Sequence, residues 1–260
     1  MRVMTWQPGW IAYALPAAIV VLAVALRLWL GGRIGRLKSG GLWIVPAAFI
    51  AVFAYSFVHA RSLGWDKLAL PVAQPQVWLF QALAVAFVAL IVVAAMRRKD
   101  EGGARQDSRC RIGIAIQGGA FVLAGFGPVK ATLPPLSAPG IAGFAAVLLL
   151  MAAVLGLFAA SSSALGRNWS IKARTLADHE LICSGPYAFV RHPIYLAMLL
   201  FLLAMVIALG HWALLIVALP IFLVGTRMRT TAEDRLLEES FGQEFVDYRN
   251  STPALFPRIG

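Results

Sequence analysis

The stretch Gly185-Pro186-Tyr187-Ala188-Phe189-Val190-Arg191-His192-Pro193-Ile194-Tyr195, with the apolar run 196–224 that follows it, decides how this chain is read. Two tyrosines, an arginine and a histidine crowd there between runs apolar enough for a bilayer. Polar side chains at membrane depth are costly unless they are paired or meet a ligand, so the cluster marks a functional site rather than a loop. Downstream, Arg229-x-x-x-Glu233-Asp234-x-x-Leu237-x-x-x-Phe241-Gly242 leads to Tyr248 and Pro257. If 196–209 and 212–224 form two antiparallel helices turning at Gly210-His211, Arg229 and Glu233 return to the membrane face that holds His192. The expectation is one composite site built from two distant segments.

Composition sets the environment. Of 260 residues, 60% are hydrophobic and 13% charged, and the mean hydropathy is +0.77. Soluble domains are nearer half apolar and a quarter charged, so the chain reads as an integral membrane protein. Its net charge of +11 sits in short stretches between apolar runs rather than on one basic face. That pattern argues against nucleic acid and for membrane topology and attraction to anionic headgroups. Cys110 and Cys183 have neither metal-ligand spacing nor the density of a disulfide scaffold, so both read as reduced thiols and no metal site is expected.

Further apolar runs cover 10–30, 42–58, 77–96, 112–129 and 141–165. With the two hairpin helices they make about seven crossings, at roughly 20 residues per ~30 Å hydrocarbon core. The first run is too long for a signal-peptide core and lacks small residues before a cleavage site, so it reads as a retained span. The fourth holds Gly113, Gly118, Gly119, Gly125 and Gly127, poor for helix propensity but suited to close helix approach. Arg33, Arg36 and Lys38 follow the first run and Arg97, Arg98, Lys99, Arg105, Arg109 and Arg111 the third, while the alternate loops carry only Arg61, Lys67 and Lys130. Positive charge stays inside, which places the N-terminus outside and both 167–191 and the tail after Arg227 in the cytoplasm. Alanine- and arginine-rich usage points to a bacterial inner membrane. The expected architecture is all-α and polytopic: transmembrane helices over 1–165, then a cofactor-binding region over 166–260 whose hairpin and amphipathic tail complete a cytosol-facing pocket.

Arg167-Asn168-Trp169-Ser170, His179-Glu180-Leu181-Ile182-Cys183-Ser184-Gly185-Pro186-Tyr187, Arg191-His192-Pro193-Ile194-Tyr195 and the Arg229 to Pro257 pattern together resemble the isoprenylcysteine carboxyl methyltransferase and phospholipid methyltransferase group of membrane enzymes. The motifs stand in the right order and separation over roughly the last third of the chain, which makes the set far more specific than any single member. The resemblance implies S-adenosylmethionine as cofactor, held by His179, Glu180, Leu181, Ile182, Tyr187, His192, Pro193, Ile194, Tyr195 and Glu233, with Lys172 as a further contact. It also implies that Arg229 faces the methyl acceptor. Three departures stand out: Asp234 for the usual second glutamate, Phe245 for a tyrosine and Ala197 for a glycine, all bearing on packing and substrate choice.

The chemistry also follows from the residues. S-adenosylmethionine carries a carboxylate, an ammonium, an adenine ring and a sulfonium, and Arg191, His192, Glu233, Tyr187 and Tyr195 supply matching donors, an acid and aromatic faces. Methyl transfer is an in-line displacement in which the protein positions reactants and excludes water. A carboxylate acceptor is ionised at pH 7 and needs only a partner such as Arg229, whereas an amine or alcohol needs a base, for which His192 or Glu233 would serve. Plainer roles stand beside these. Pro193 suits the first turn of a helix capped by His192, the tyrosines suit a membrane interface, and Thr230-x-x-Glu233 fits a capping box. Leu237, Phe241, Phe245 and Tyr248 recur at helical spacing, as in an amphipathic tail on the membrane.

The functional expectation is methylation of a lipophilic acceptor arriving through the bilayer, first of all the carboxyl of a prenylated cysteine. Amino-lipid N-methylation is the alternative within the chemistry, and a non-enzymatic transporter or assembly protein the alternative outside it. A transporter would show paired interrupted helices, and only one break, at Gly210, is present.

Overall fold

Backbone groups inside hydrocarbon must bond within their own segment, which makes helices of the apolar runs. In a computed structural model of the chain the described residues are 75–96, 108–126, 136–166 and 181–257, and among them every regular element is helical. These are α1 (Pro75–Met96), α2 (Ser108–Phe126), α3 (Ala138–Leu165), α4 (Pro193–Leu209), α5 (Leu215–Phe241) and α6 (Gln243–Ser251). Tight turns occupy Gly185–Ala188 and Trp212–Leu214. Three stretches, Pro75–Ala94, Ala138–Leu165 and Trp212–Phe241, are long and apolar enough to cross a membrane, while Cys110–Gly125 and Pro193–Leu209 are shorter apolar helices. The expected spans over 10–30 and 42–58 lie outside the described residues.

Packing departs from the expected hairpin. α4 and α5 follow one another but meet little; α5 lies along α2, and α4 along α3, with α1 also against α3. Glycine explains the first pairing. A Cβ on Gly113 would sit 2.6 Å from Arg229 Cγ and 2.8 Å from the Gly225 carbonyl oxygen, and a Cβ on Gly225 would sit 2.8 Å from the Gly113 oxygen. Gly113 on α2 and Gly225 on α5 thus let the two backbones touch. Phenylalanines fill the remaining seams: Phe87 meets Phe158 and Phe201, and Phe121 meets Phe201 and Phe222, joining five helices.

Gly210, at φ 71°, ends α4 and returns its N–H to the Ile207 and Val206 carbonyls. Beside it, buried His211 bonds the Ala124 carbonyl through Nδ1, pinning the end of α2 to the turn. Since Gly113, near the start of α2, abuts Arg229 on α5, the two helices run antiparallel from the turn to the polar cluster.

α5 does not stop near Val224 as expected. Beyond it, Arg227-Met228-Arg229 and Ala232 to Glu239 are strong helix formers, and the helix continues to Phe241, where Gly242 at φ 56° breaks it. Thr230 is therefore mid-helix, donating to the Arg227 carbonyl at 3.2 Å, and the capping box does not form. α6 folds back onto the protein, with the Phe245 side chain fully buried. The chain after it lies along 191–192: the Arg191 N–H donates to the Pro253 carbonyl at 2.9 Å and the His192 N–H to the Ala254 carbonyl at 3.0 Å.

Candidate active site

α4 follows a tight turn. Gly185 at φ 63° opens a turn through Ala188, and Pro193 takes the first helical position, where a missing N–H costs nothing. His192 stands at the cap position but makes no side-chain cap bond, because its ring faces α5.

Adjacent acids on α5 grip that ring from both sides. Asp234 Oδ1 lies 2.9 Å from Nε2, and Glu233 Oε2 lies 3.4 Å from Nδ1. The Tyr195 hydroxyl, one turn into α4, donates to Glu233 Oε1. With an acceptor at each nitrogen, His192 is favoured as the doubly protonated imidazolium. Burial pushes its pKa down, but the bonds to Asp234 and Glu233 and their charges outweigh it and raise the pKa to about 9. The two carboxylates thus favour the charged form of His192, at 5% exposure, at neutral pH.

Arg191 and Arg229 flank this core in different ways. The Arg191 guanidinium meets Asp234 Oδ2 at 3.0 Å and donates through its other terminal nitrogen to the carbonyls of Arg249 at 2.7 Å and Thr252 at 2.8 Å. It satisfies carbonyls that the end of α6 leaves over. Arg229, at 7% exposure, lays its guanidinium 4.6 Å from the centre of the Tyr195 ring and donates to Gln117 Oε1 at 2.6 Å. Gln117 in turn donates to Thr226 Oγ1 at 2.7 Å. Sequence reasoning missed Gln117, a lone amide in an otherwise apolar, glycine-rich run.

A second feature adjoins Arg191. Leu181, Ile182, Tyr187 and Arg191, with Leu237, Phe245 and Tyr248, enclose a cavity of about 60 Å³. The Tyr248 hydroxyl donates to the Tyr187 carbonyl at 2.6 Å. Burial, above all, pushes the Tyr187 and Tyr248 phenols well above their usual range, so both stay protonated.

The structure thus gathers Arg191, His192, Tyr195, Arg229 and Glu233 into one network and sets Leu181, Ile182 and Tyr187 beside it. Pro193 is buried at the head of α4, and Ile194 packs against the helix core. Lys172, His179 and Glu180 lie outside the described residues. Among the described residues no group of three or more His, Cys, Asp and Glu side chains is arranged to hold a metal ion.

The chain is similar to several known proteins over part of its length. The chain is 37% identical over 109 residues to the cobalt-zinc-cadmium resistance protein CzcN of Cupriavidus metallidurans, covering 40% of this chain and 49% of that one. It is 31% identical over 109 residues to the nickel-cobalt-cadmium resistance protein NccN of Alcaligenes xylosoxydans xylosoxydans, with the same coverage of 40% and 49%. It is 28% identical over 109 residues to the protein-S-isoprenylcysteine O-methyltransferase of Schizosaccharomyces pombe, covering 40% and 46%. The chain spans about half the length of the curated relatives it matches. Residues 145–239, which include α4, most of α5 and every acid of the cluster, match the isoprenylcysteine carboxyl methyltransferase (ICMT) family.

Proposed function

We propose that this protein transfers a methyl group from S-adenosylmethionine to a lipophilic acceptor that carries a carboxylate, an S-prenylated cysteine being the closest class. One observation carries the choice of acceptor: among the described residues Asp234 and Glu233 hold His192 as an imidazolium rather than a base, and the Arg229 guanidinium lies over the ring of Tyr195, which bonds the same Glu233. A carboxylate needs no proton removed. An amine would need a base, and His192 held as an imidazolium cannot take its proton. Amino-lipid methylation is therefore the less favoured reading, and the metal-resistance names of two relatives leave the natural acceptor open to a wider set of lipids.

The residues suit the cofactor chemically. Glu233 is the acid for its ammonium, and the cavity walled by Ile182, Tyr187, Leu237 and Tyr248 offers apolar and aromatic surface for part of its adenosyl group. When bound, the cofactor supplies a methyl carbon on a sulfonium, so that a C–O bond forms to the acceptor as the C–S bond breaks and the electron pair passes to sulfur. The chain's own work is positional. Arg229 orients the acceptor anion, Tyr195 fixes Glu233 and supports Arg229, and the buried network keeps out water that would scatter the developing charge. Residues 166–260 would hold the cofactor from the cytoplasmic side of a bacterial inner membrane, with Lys172, His179 and Glu180 adding to the pocket, and the acceptor entering laterally between helices.

Membranes containing the protein, incubated with methyl-labelled S-adenosylmethionine, provide the test. The expected product is a lipid-extractable label released by mild base as an ester. A base-stable methylamine would favour the amino-lipid reading, and no protein-dependent label in lipid would overturn methyl transfer altogether.

A further inference from the structure

Gln117 sits at 1% exposure on α2, outside the family-matched region. Both ends of its amide are committed: Oε1 accepts from Arg229 at 2.6 Å, and Nε2 donates to Thr226 at 2.7 Å. Arginine can only donate, so the amide orientation is forced by its partners. The surrounding backbone leaves little slack, since a Cβ on Gly225 would lie 2.9 Å from Gln117 Cγ. Arg229 thus has one face on Tyr195 and one edge on Gln117, which fixes the plane of the guanidinium. A carboxylate would be the stronger partner for arginine. An amide of the same shape orients the guanidinium without adding a negative charge.

We propose that Gln117 is a positioning residue for the methyl acceptor: it aims Arg229 at an acceptor anion and, being neutral, adds no negative charge of its own beside that anion. The proposal rests on the methyl-transfer reading and extends it to α2. It restricts the acceptor to molecules with an anionic head on an apolar tail.

The full chain in lipid nanodiscs is titrated with S-adenosylmethionine, with N-acetyl-S-farnesylcysteine as the anionic probe, and with the carboxamide of that probe as the neutral one. Gln117→Glu keeps size and an acceptor oxygen but adds charge. It should weaken the carboxylate probe at least about tenfold, a difference of roughly 1.4 kcal/mol, while the carboxamide and the cofactor bind within about twofold of wild type. Gln117→Met, which keeps length but accepts no such bond, should raise KM for the carboxylate probe with little change in cofactor affinity, and it stands in if the glutamate variant does not fold. Equal affinity of wild type and Gln117→Glu for the carboxylate would overturn the proposal, as would parallel loss of cofactor and both probes, the signature of a merely structural role. A wild type that binds no cofactor would instead overturn the methyl-transfer reading and this inference with it.

Discussion

His192 is held by two acids that are neighbours in sequence yet reach opposite ring nitrogens, because Glu233 and Asp234 project from successive positions of α5 onto the head of α4. The groups facing it are those two carboxylates, the Tyr195 hydroxyl bonded to Glu233 and the Arg191 guanidinium bonded to Asp234. A histidine pKa raised to about 9 in the fold, against about 6.5 unfolded, contributes stability that is complete below the lower value and lost as pH rises through the upper one. Melting temperature should therefore fall from pH 6.5 toward pH 9, and this slope should flatten in His192→Gln; an unchanged slope would remove the imidazolium from the account. Removing one acid leaves the other partners buried and half satisfied. Asp234→Asn should cost about 1–3 kcal/mol of stability, measured by denaturant titration, since Arg191 and His192 both lose a charged acceptor. That Arg229, Glu233 and His192 share a site was legible in the sequence from polar residues at bilayer depth. The destination of Arg191 was not, because it binds main-chain carbonyls of Arg249 and Thr252, which any residue carries. Gln117 was illegible for a different reason: one amide in an apolar run has no spacing to read.

Among elements, the α2–α5 contact organises the site. Hydropathy located both helices, but it placed the end of the second near Val224, where lipid-grade residues stop. Helix propensity continues well past that point, so α5 carries Arg229, Glu233 and Asp234 on one rigid rod to Phe241. Hydropathy also suggested that consecutive helices pair, whereas the glycines decide the pairing by letting α2 approach α5 within backbone contact. Gly113→Ala would gain helix propensity in isolation, by up to about 1 kcal/mol. In the protein it should instead destabilise by about 1–3 kcal/mol, the cost of overpacking, because the new methyl meets the Gly225 carbonyl and the Arg229 stem. Thermal unfolding in detergent distinguishes the two signs, and a stabilised variant would mean that the helices stand apart.

At the scale of the whole molecule, the polar cluster lies at one end of the helices and the Gly210 turn at the other. α2 and α5 run antiparallel between the Gly210 turn and the polar cluster, as alternate crossings require, and the tail closes onto Arg191 and His192 at the cluster end. If the cluster faces the cytoplasm, a cysteine replacing Ser251 beside that tail should react with a membrane-impermeant maleimide only from inside. One replacing Leu136, 92% exposed before α3, should react only from outside. Labelling of both from one side would break the orientation drawn from the arginine-rich loops.

The central claim is that two segments of the chain meet to hold S-adenosylmethionine, with Glu233 at the junction. Isothermal calorimetry of the purified full chain, wild type against Glu233→Gln, tests it most directly. The account predicts saturable binding by the wild type and at least about tenfold weaker binding by the variant, the scale of a lost charge-assisted contact. Equal binding by both proteins, with the variant merely melting earlier, would contradict it.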